Sequence, residues 1–435
     1  MSDPSAAELI AARPALVMHA RDGLLFEGVP LANIAESHGT PTFVYGAETL
    51  RRRAAQLARV FPEIAVHYAV KANDHLAVLT VLRGAGLGAD IVSGGELQRV
   101  LHAGFPPDRI VFSGVGKTRH ELTRALNSGV AQINVESAEE LDMLAALGTE
   151  LSCRAPTALR VNPEVDAGTH DKISTGRKGD KFGIPIGDIL PLYRRAASLP
   201  GIDLKGLALH IGSQVFSMAP YAAAYDKIAS LVSALQAEDL PVHSIDCGGG
   251  LAVPYRNEPA PLPEAWAGTI RRAFAGLNSA LSVEPGRWIA APSGLLLTRV
   301  IRLRRAGMPR PLAIIDAAMN DFARPAMYGA WHGVVPVSPI ALHAPPEEAD
   351  IAGPVCESSD FLARHRQLPP LHAGDLVAIL DVGAYGAVMS STYNARPHAA
   401  QVMVHGGRPA LIRPRQQVEA LWRDELVPPG LTQSA

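Results

Sequence analysis

The chain has 435 residues and a formal net charge of −2 at neutral pH. This length allows more than one domain and a large buried core, and the balanced charge gives no reason to expect a nucleic-acid partner or an anionic membrane surface. No apolar run approaches the roughly 20 residues of a membrane span, and the N-terminus lacks a basic segment followed by an apolar core. The cysteines, Cys153, Cys247 and Cys356, lie far apart and predict free thiols in a reducing compartment. We therefore expect a cytoplasmic protein that binds neither nucleic acid nor membrane.

The first 45 residues predict an N-terminal arm. Residues 1–24 show no clear period, whereas the stretch from Leu24 to Tyr45 holds two short apolar pieces, the second of which begins at Thr42 and has a strand-like composition. Because these pieces precede a regular α/β pattern, we expect them to add strands to a β domain elsewhere in the chain.

From residue 46 to residue 290, strand-like apolar runs alternate with segments that have apolar residues at helical spacing. Eight such units in about 240 residues predict a (β/α)8 barrel of the TIM type. A doubly wound open sheet is the alternative, since alternation alone does not prove closure. Polar residues stand at the ends of seven of these runs, and in a barrel they would share one rim: Lys71, Asp90, Ser93, Ser113, Arg160, Asn162, His210, Asp246 and Glu284.

Residues 291–435 lose this alternation and contain many prolines. Short β-rich runs from Gly294, Leu312, Val334, Leu376 and Ala400 predict the strands of a C-terminal all-β domain.

One strand of the predicted barrel carries a lysine at its end. The run that begins at Ala65 is apolar and reaches Lys71, which Ala72 and Asn73 follow. Taken alone, Lys71 is most simply a lysine whose amine extends from a strand end into water. Desolvation at such a place favours the neutral amine, which a lysine that forms an imine requires.

Two loops follow the seventh and eighth strands, where barrels commonly bind phosphate. The first contains Gly248, Gly249 and Gly250, whose backbone amides can approach an anion without obstruction by side chains. The second, Glu284–Arg287, can supply another amide and a guanidinium. A triple glycine by itself also fits a flexible turn.

A phosphate site, an imine-forming lysine and a carboxylate together indicate pyridoxal 5′-phosphate as the cofactor. In this hypothesis Glu284 lies against the pyridine nitrogen and keeps it protonated. His210 stacks on one face of the ring, and Ser213 reaches the phosphate.

Residues 41–404 resemble the fold-type III pyridoxal-phosphate-dependent decarboxylases, and within them most closely the diaminopimelate decarboxylase branch. The resemblance lies in a set of motifs that covers both predicted domains: Tyr68–Asn73, Ser93–Leu97, Arg160–Pro163, Lys181–Gly183, His210–Gln214, Gly248–Gly250, Glu284–Arg287 and Cys356–Ser358.

The resemblance implies a covalent bond between Lys71 and the cofactor, and a homodimer in which Cys356 and Glu357 are contributed across the interface. Cys356 would then donate a proton after decarboxylation, and the predicted catalytic residues are Lys71, His210 and Cys356. The predicted cofactor-binding residues are Lys71, Asp90, His210, Ser213, Gly248, Gly249, Gly250, Glu284, Pro285, Gly286, Arg287 and Tyr385.

The substrate hypothesis is argued from charge. Arg287, Arg324 and Tyr328 suit a distal carboxylate, and Glu357 can hold a distal amine. Both groups occur at the far end of meso-2,6-diaminopimelate, whose decarboxylation would give L-lysine and CO2, and the resemblance also places Tyr385 near this substrate. No metal is predicted. Two alternatives stay open: a paralogous decarboxylase of another carboxylate-bearing amino acid, and a catalytically silent member that binds a partner protein.

Overall fold

The computed structural model describes residues 3–168, 175–339, 344–429 and 431. The chain forms two compact units, one of residues 47–293 and one of the residues up to Gly46 together with those from Gly294 onward. Six elements precede the first unit boundary: helix α1 (Ala6–Ala11), strands β1 (Leu16–His19), β2 (Gly23–Phe26) and β3 (Val29–Pro30), helix α2 (Leu31–His38) and strand β4 (Thr42–Gly46).

The unit of residues 47–293 is a closed barrel of eight parallel strands, which confirms the predicted fold class and excludes the open sheet. Its closing pairs are β13 with β5 and β8 with β9, and the short strand β10 adds to the side of β9. The strands are β5 (Ala65–Ala69), β6 (Gly88–Ile91), β7 (Ile110–Phe112), β8 (Gln132–Val135), β9 (Ala155–Asn162), β10 (Ile184–Pro185), β11 (Ile202–Leu209), β12 (Ser244–Asp246) and β13 (Ala280–Val283).

Helices connect these strands, and three in succession begin in the same way. The helices are α3 (Ala47–Val60), α4 (Leu76–Gly84), α5 (Gly94–His102), α6 (Arg119–Ser128), α7 (Ala138–Glu150), α8 (Ile186–Ser198), α9 (Met218–Gln236), α10 (Pro263–Ala273) and α11 (Arg287–Ala290). A Ser or Thr caps the first turn of α5, α6 and α7, and a Glu three residues later accepts a backbone N–H at the start of the helix. These caps satisfy amides that the helix leaves unpaired, and so they fix the turns that follow β6, β7 and β8.

Two tyrosines of α9 hold the glycine loop after β12. The Tyr221 hydroxyl donates to the Gly249 carbonyl at 2.9 Å, and the Tyr225 hydroxyl donates to the Cys247 carbonyl at 3.0 Å. Tyr225 in turn accepts the indole N–H of Trp266 from α10, and all three rings are fully buried. The aromatic layer between the barrel and its outer helices therefore positions this loop.

The other unit is built mainly from β-strands. Its sheet places β4 between β14, which is antiparallel to it, and β20, which is parallel to it. Side chains from both chain segments of the unit share one core, which includes Leu24, Ile34, Val44, Leu295 and Val402. The elements are β14 (Gly294–Arg304), β15 (Leu312–Ile315), α12 (Arg324–Tyr328), β16 (Val334–Pro336), β17 (Glu347–Ala352), β18 (Phe361–Leu368), β19 (Leu376–Ile379), β20 (Ala400–His405) and β21 (Arg408–Arg413).

Candidate active site

Lys71 lies in a single turn of 3₁₀ helix, Val70–Ala72, directly after β5. The prediction that the strand itself reaches Lys71 is therefore wrong by two residues, because the strand ends at Ala69. The turn buries Val70 and Ala72 and leaves about a third of the Lys71 side chain exposed (35%). Its Nζ lies 2.9 Å from Oδ2 of Asp90, on the neighbouring strand β6. The second oxygen of this fully buried carboxylate, Oδ1, has no hydrogen-bond partner among the described residues.

Two further carboxyl groups lie close to this ion pair. Asp246 ends β12, Glu284 follows β13, and a hydrogen bond joins their side chains. Burial is the main cause that raises the pKa of both groups, and the charges of Asp246 and Asp90 raise that of Glu284 further. A hydrogen bond between two carboxyl groups requires a proton on one of them. The pair therefore holds a proton more strongly than two isolated carboxylates would.

Polar side chains inside the barrel connect to this pair. The Asn134 amide of β8 donates to Ser113 Oγ at 3.0 Å and to Asp246 Oδ2 at 3.2 Å. Ser113 Oγ donates to Glu284 Oε1 at 3.5 Å, and the Gln132 side-chain amide donates to Asn134 Oδ1 at 2.8 Å. Sequence reasoning gave Asn134 and Gln132 no role. Polar residues two positions apart in an otherwise apolar strand were the signal, because they face the same side of the strand.

His210 follows β11 and is held in one tautomer. Its Nδ1 accepts the Gly249 backbone N–H at 3.1 Å, so the ring proton of a neutral imidazole lies on Nε2. Burial lowers the pKa of His210 well below its ordinary value, and the positive charges of Lys71 and Arg160 lower it further. The imidazole is therefore uncharged at neutral pH.

The glycine loop differs from the prediction that all three amides face an anion. The Gly248 amide donates to Asp246 Oδ1 at 3.0 Å, and the Gly249 amide is the one that His210 accepts. A Cβ on Gly249 would lie 2.1 Å from the Glu284 carbonyl oxygen. Gly248 and Gly250 have φ values of +69° and +101°, in the region that favours glycine. The first two glycines thus allow close backbone approach and orient the side chains of Asp246 and His210.

Ser213 and Arg287 are brought together, as the phosphate hypothesis requires. Both Nε and Nη2 of Arg287 donate to Ser213 Oγ, at 3.2 and 3.1 Å, and Nη1 donates to the Tyr255 hydroxyl at 3.1 Å. Because the Ser213 oxygen already accepts two hydrogen bonds from Arg287, its own proton points away from the guanidinium. Gly286 packs against the lysine turn, since a Cβ on it would lie 3.2 Å from that of Ala72, and the Pro285 carbonyl accepts the Ala69 N–H at 3.3 Å.

Arg160, at the end of β9, has a buried acidic partner that sequence reasoning missed. Its guanidinium forms an ion pair with Glu136, which follows β8. The Glu136 carboxylate also accepts the backbone N–H groups of Gly114 and Gly183, at 3.1 and 2.9 Å. One carboxylate therefore ties together the ends of three barrel strands and holds the arginine in place.

Some of these side chains line a cavity of about 340 Å³ at the carboxyl end of the barrel strands. That size lies within the range of small-molecule sites, and this end is where enzymes with barrels of this type carry their active sites. The polar lining includes Lys71, Ser113, Asn134, Arg160, His210, Asp246 and Glu284.

The other predicted residues lie in the β unit. Arg324 begins α12 and is buried, with its Nε 3.3 Å from His332 Nε2 and its guanidinium 5.9 Å from the centre of the Tyr328 ring. Tyr385 has a left-handed backbone, with φ of +55°. Cys356 and Glu357 are exposed in the loop between β17 and β18.

In the parts of the chain that the structure describes, no group of three or more His, Cys, Asp or Glu residues is arranged to bind a metal ion. None of the helices described there combines the length and apolarity needed to cross a membrane.

Comparison with known proteins gives one consistent result. Residues 47–291 match the family model described as the pyridoxal-binding domain of pyridoxal-dependent decarboxylases. The diaminopimelate decarboxylase of Zymomonas mobilis is 46% identical over 409 residues, which cover 92% of this chain and 96% of that protein. That of Pseudomonas fluorescens is 48% identical over 414 residues, covering 94% of this chain and 98% of the relative.

A solved structure agrees with the sequence relatives. The crystal structure of Helicobacter pylori diaminopimelate decarboxylase complexed with L-lysine superposes with a TM-score of 0.87 and is 37% identical, covering 90% of this chain and 98% of that one. The chain belongs to the pyridoxal-dependent decarboxylase family and, within it, to the diaminopimelate decarboxylases.

Proposed function

We propose that this protein uses pyridoxal 5′-phosphate to decarboxylate meso-2,6-diaminopimelate to L-lysine and CO2. The observation that carries the proposal is the barrel cavity lined by Lys71, Asp246 and Glu284, in which Asp90 binds the Lys71 amine from behind the cavity wall. Membership of the family supports the same reaction.

The residues present fit this cofactor. The cavity supplies an amine for covalent attachment, a buried carboxyl pair for a ring nitrogen and an uncharged imidazole for a ring face. Asp90 offers a buried oxygen, Oδ1, that no described residue satisfies. A buried polar atom without a partner loses free energy, which a ligand donor at this point would recover. When bound, pyridoxal phosphate would supply an electron-withdrawing ring that stabilises the negative charge left by the loss of CO2.

Lys71 is the attachment point in this proposal. Its amine is held by Asp90 at 2.9 Å, and the short 3₁₀ turn fixes its backbone at the barrel rim. Glu284 would hold the ring nitrogen, and burial together with the charge of Asp246 raises the pKa of this carboxyl group. The neutral His210 covers one ring face, since Gly249 fixes its orientation.

The phosphate side is supported by a different set of groups. Ser213 and Arg287 form one hydrogen-bonded unit, and backbone amides of Gly250 and Gly286 complete the proposed site. Gly248 and Gly249 act through Asp246 and His210. Pro285 shapes the same loop, and Tyr385 is assigned to the phosphate and the substrate.

The substrate is held at its distal end by charge. Arg287, Arg324 and Tyr328 are assigned to the distal carboxylate, and Glu357 to the distal amine. Cys356 is assigned as the acid: its Sγ gives a proton to the carbon that has lost CO2. Of the three cysteines, Cys356 alone is exposed, whereas Cys247 is buried and Cys153 half-buried. A thiol that must reach a bound substrate has to be accessible.

The proposed assembly is a homodimer, with Cys356 and Glu357 of each subunit completing the active site of the other. The exposure of both residues supports this assignment. The cysteines, all free thiols, support a location in the reducing cytoplasm.

The test is the release of CO2 and lysine from meso-diaminopimelate, measured beside L-lysine and L-ornithine as substrates. Purified protein is expected to show the visible absorbance of a covalently bound cofactor, and Lys71→Ala is expected to lose both this absorbance and turnover. Loaded cofactor with turnover of another acidic amino acid would point to a paralogous decarboxylase. Absence of cofactor binding by the intact chain would contradict the proposed function.

A further inference from the structure

The loop that carries Cys356 and Glu357 has a rigid base. Asp360 is buried at 2% exposure, and its two carboxylate oxygens accept the backbone N–H groups of Val355 at 2.8 Å and Met319 at 2.7 Å. The same carboxylate therefore ties the two ends of the loop to a neighbouring segment of the β unit. The tip of the loop, Cys356–Ser359, is exposed.

Two hydrogen bonds reach this exposed tip from a single turn, Tyr393–Ala395. The Cys356 backbone N–H donates to Asn394 Oδ1 at 2.8 Å, and the Tyr393 hydroxyl donates to Glu357 Oε2 at 3.1 Å. The first contact fixes the backbone that carries the thiol. The second fixes the direction of the carboxylate, which is otherwise free to sample several rotamers.

The turn adopts an unfavourable backbone to make these contacts. Asn394 and Ala395 have φ values of +57° and +53°, in the left-handed region that an alanine enters only at a cost in free energy. Asn320 anchors the residues on either side, because its backbone carbonyl accepts the Ser391 N–H at 2.8 Å and its side-chain oxygen accepts Arg396 Nε at 3.0 Å. Strained backbone of this kind persists where the surrounding structure holds it, and it is concentrated at functional sites.

We propose that the Tyr393–Ala395 turn positions the proton donor and the amine-binding carboxylate, with Asn394 orienting the Cys356 backbone and Tyr393 orienting Glu357. This inference rests on the proposed function, which assigns roles to Cys356 and Glu357. Tyr393 and Asn394 are positioning residues, since each acts through a neighbour and not on the substrate. The contact with Glu357 also raises the pKa of the Tyr393 hydroxyl, so the tyrosine remains a donor over the working pH range.

The kinetic test uses Tyr393→Phe, which removes the hydroxyl and keeps the ring. We expect KM for meso-diaminopimelate to rise about fivefold with kcat within twofold, because one hydrogen bond to a charged acceptor is lost at a binding group. In the Glu357→Gln background the same change should have no further effect on KM. The control is Thr392→Val, at the exposed residue before Tyr393, and it should leave both KM and kcat unchanged. An unchanged KM in Tyr393→Phe, or an effect that simply adds to that of Glu357→Gln, would overturn the role of Tyr393.

A second test does not depend on turnover. Hydrogen exchange of the Cys356 amide, resolved by mass spectrometry on the cofactor-loaded protein, should be at least tenfold faster in Asn394→Ala than in the wild type. Asn394→Asp keeps both an acceptor oxygen and a residue that tolerates the left-handed region, so it should restore the slow exchange. Equal exchange in all three proteins would overturn the role of Asn394. If the wild type does not decarboxylate meso-diaminopimelate, the proposed function is wrong. The exchange measurement still shows whether the Tyr393–Ala395 turn holds the loop that carries Cys356.

Discussion

Glu96 offers a test of how burial at the barrel rim controls stability. It is the third residue of α5, and its Oε2 accepts the Val92 backbone N–H at 2.7 Å. Burial raises the pKa of Glu96 from 4.5 to about 7, and the charges of Asp90 and Asp74 add to this effect. Lys71 and the Val92 hydrogen bond oppose the increase without cancelling it. The carboxyl group is therefore largely protonated in the folded protein at pH 6.

The sign of the pH dependence follows from proton binding. Between pH 4.5 and pH 7 the folded protein binds more protons at Glu96 than the unfolded chain does, so the free energy of unfolding falls as pH rises through this range. The full shift corresponds to about 3 kcal/mol. Glu96 is partly exposed to water, which screens the charge, so we expect about 2 kcal/mol.

Glu96→Gln removes this penalty, because glutamine does not ionise and its carbonyl oxygen can still accept the Val92 N–H. The Tm of the variant minus that of the wild type should be about 6 °C larger at pH 8 than at pH 5. The assay follows the thermal unfolding of the cofactor-loaded protein by calorimetry or circular dichroism at pH 5 and at pH 8. Comparing the Tm differences at the two pH values cancels any pH-independent effect of the substitution.

Glu121→Gln is the matched control, since Glu121 has the same position in α6 and accepts backbone N–H groups of Thr118 and Gly94. These hydrogen bonds lower the pKa of Glu121, so its contribution to stability is present above the unfolded value and is lost in acid. The control should therefore be destabilised at pH 8. The reasoning is refuted if Glu96→Gln has the same Tm relative to the wild type at pH 5 and pH 8.

Two further predictions concern the carboxyl pair and the glycine loop. Asp246→Asn removes a charge that helps to raise the pKa of Glu284. The fall in cofactor affinity on acidification, measured by absorbance titration from pH 5 to pH 8, should therefore move to lower pH. If the pH dependence of cofactor affinity does not move, the charge of Asp246 does not act on Glu284. Gly249→Ala would force a Cβ to within 2.1 Å of a carbonyl oxygen and should destabilise the barrel by about 3 kcal/mol in denaturant unfolding. Gly268 lies in the middle of α10, and no atom would lie within 4 Å of a Cβ added there. Gly268→Ala should therefore stabilise the barrel by up to about 1 kcal/mol. Similar effects of the two substitutions on the free energy of unfolding would contradict the packing argument.

The barrel was predictable because its signals are local. Each strand is an apolar run of a few residues that a polar residue follows, and this pattern survives without knowledge of any neighbour. The strands of the β unit were harder to find. β18 contains Arg364, His365 and Arg366, of which the first two are exposed, and it lies at the end of its sheet. A strand of that composition has no alternating apolar face to detect, and β1, β17 and β21 were likewise not predicted.

The order of residues along the chain establishes which functional groups are available at the rim: a lysine, a histidine, several carboxyl groups and a glycine loop at the ends of successive strands. Which of these groups contact one another depends on the fold. Asp246 and Glu284 raise each other's tendency to hold a proton, Gly249 fixes the tautomer of His210, and Glu136 holds Arg160. Burial and through-space charge set the protonation of such groups, and both depend on residues that are distant in the chain, so no local pattern could reveal them.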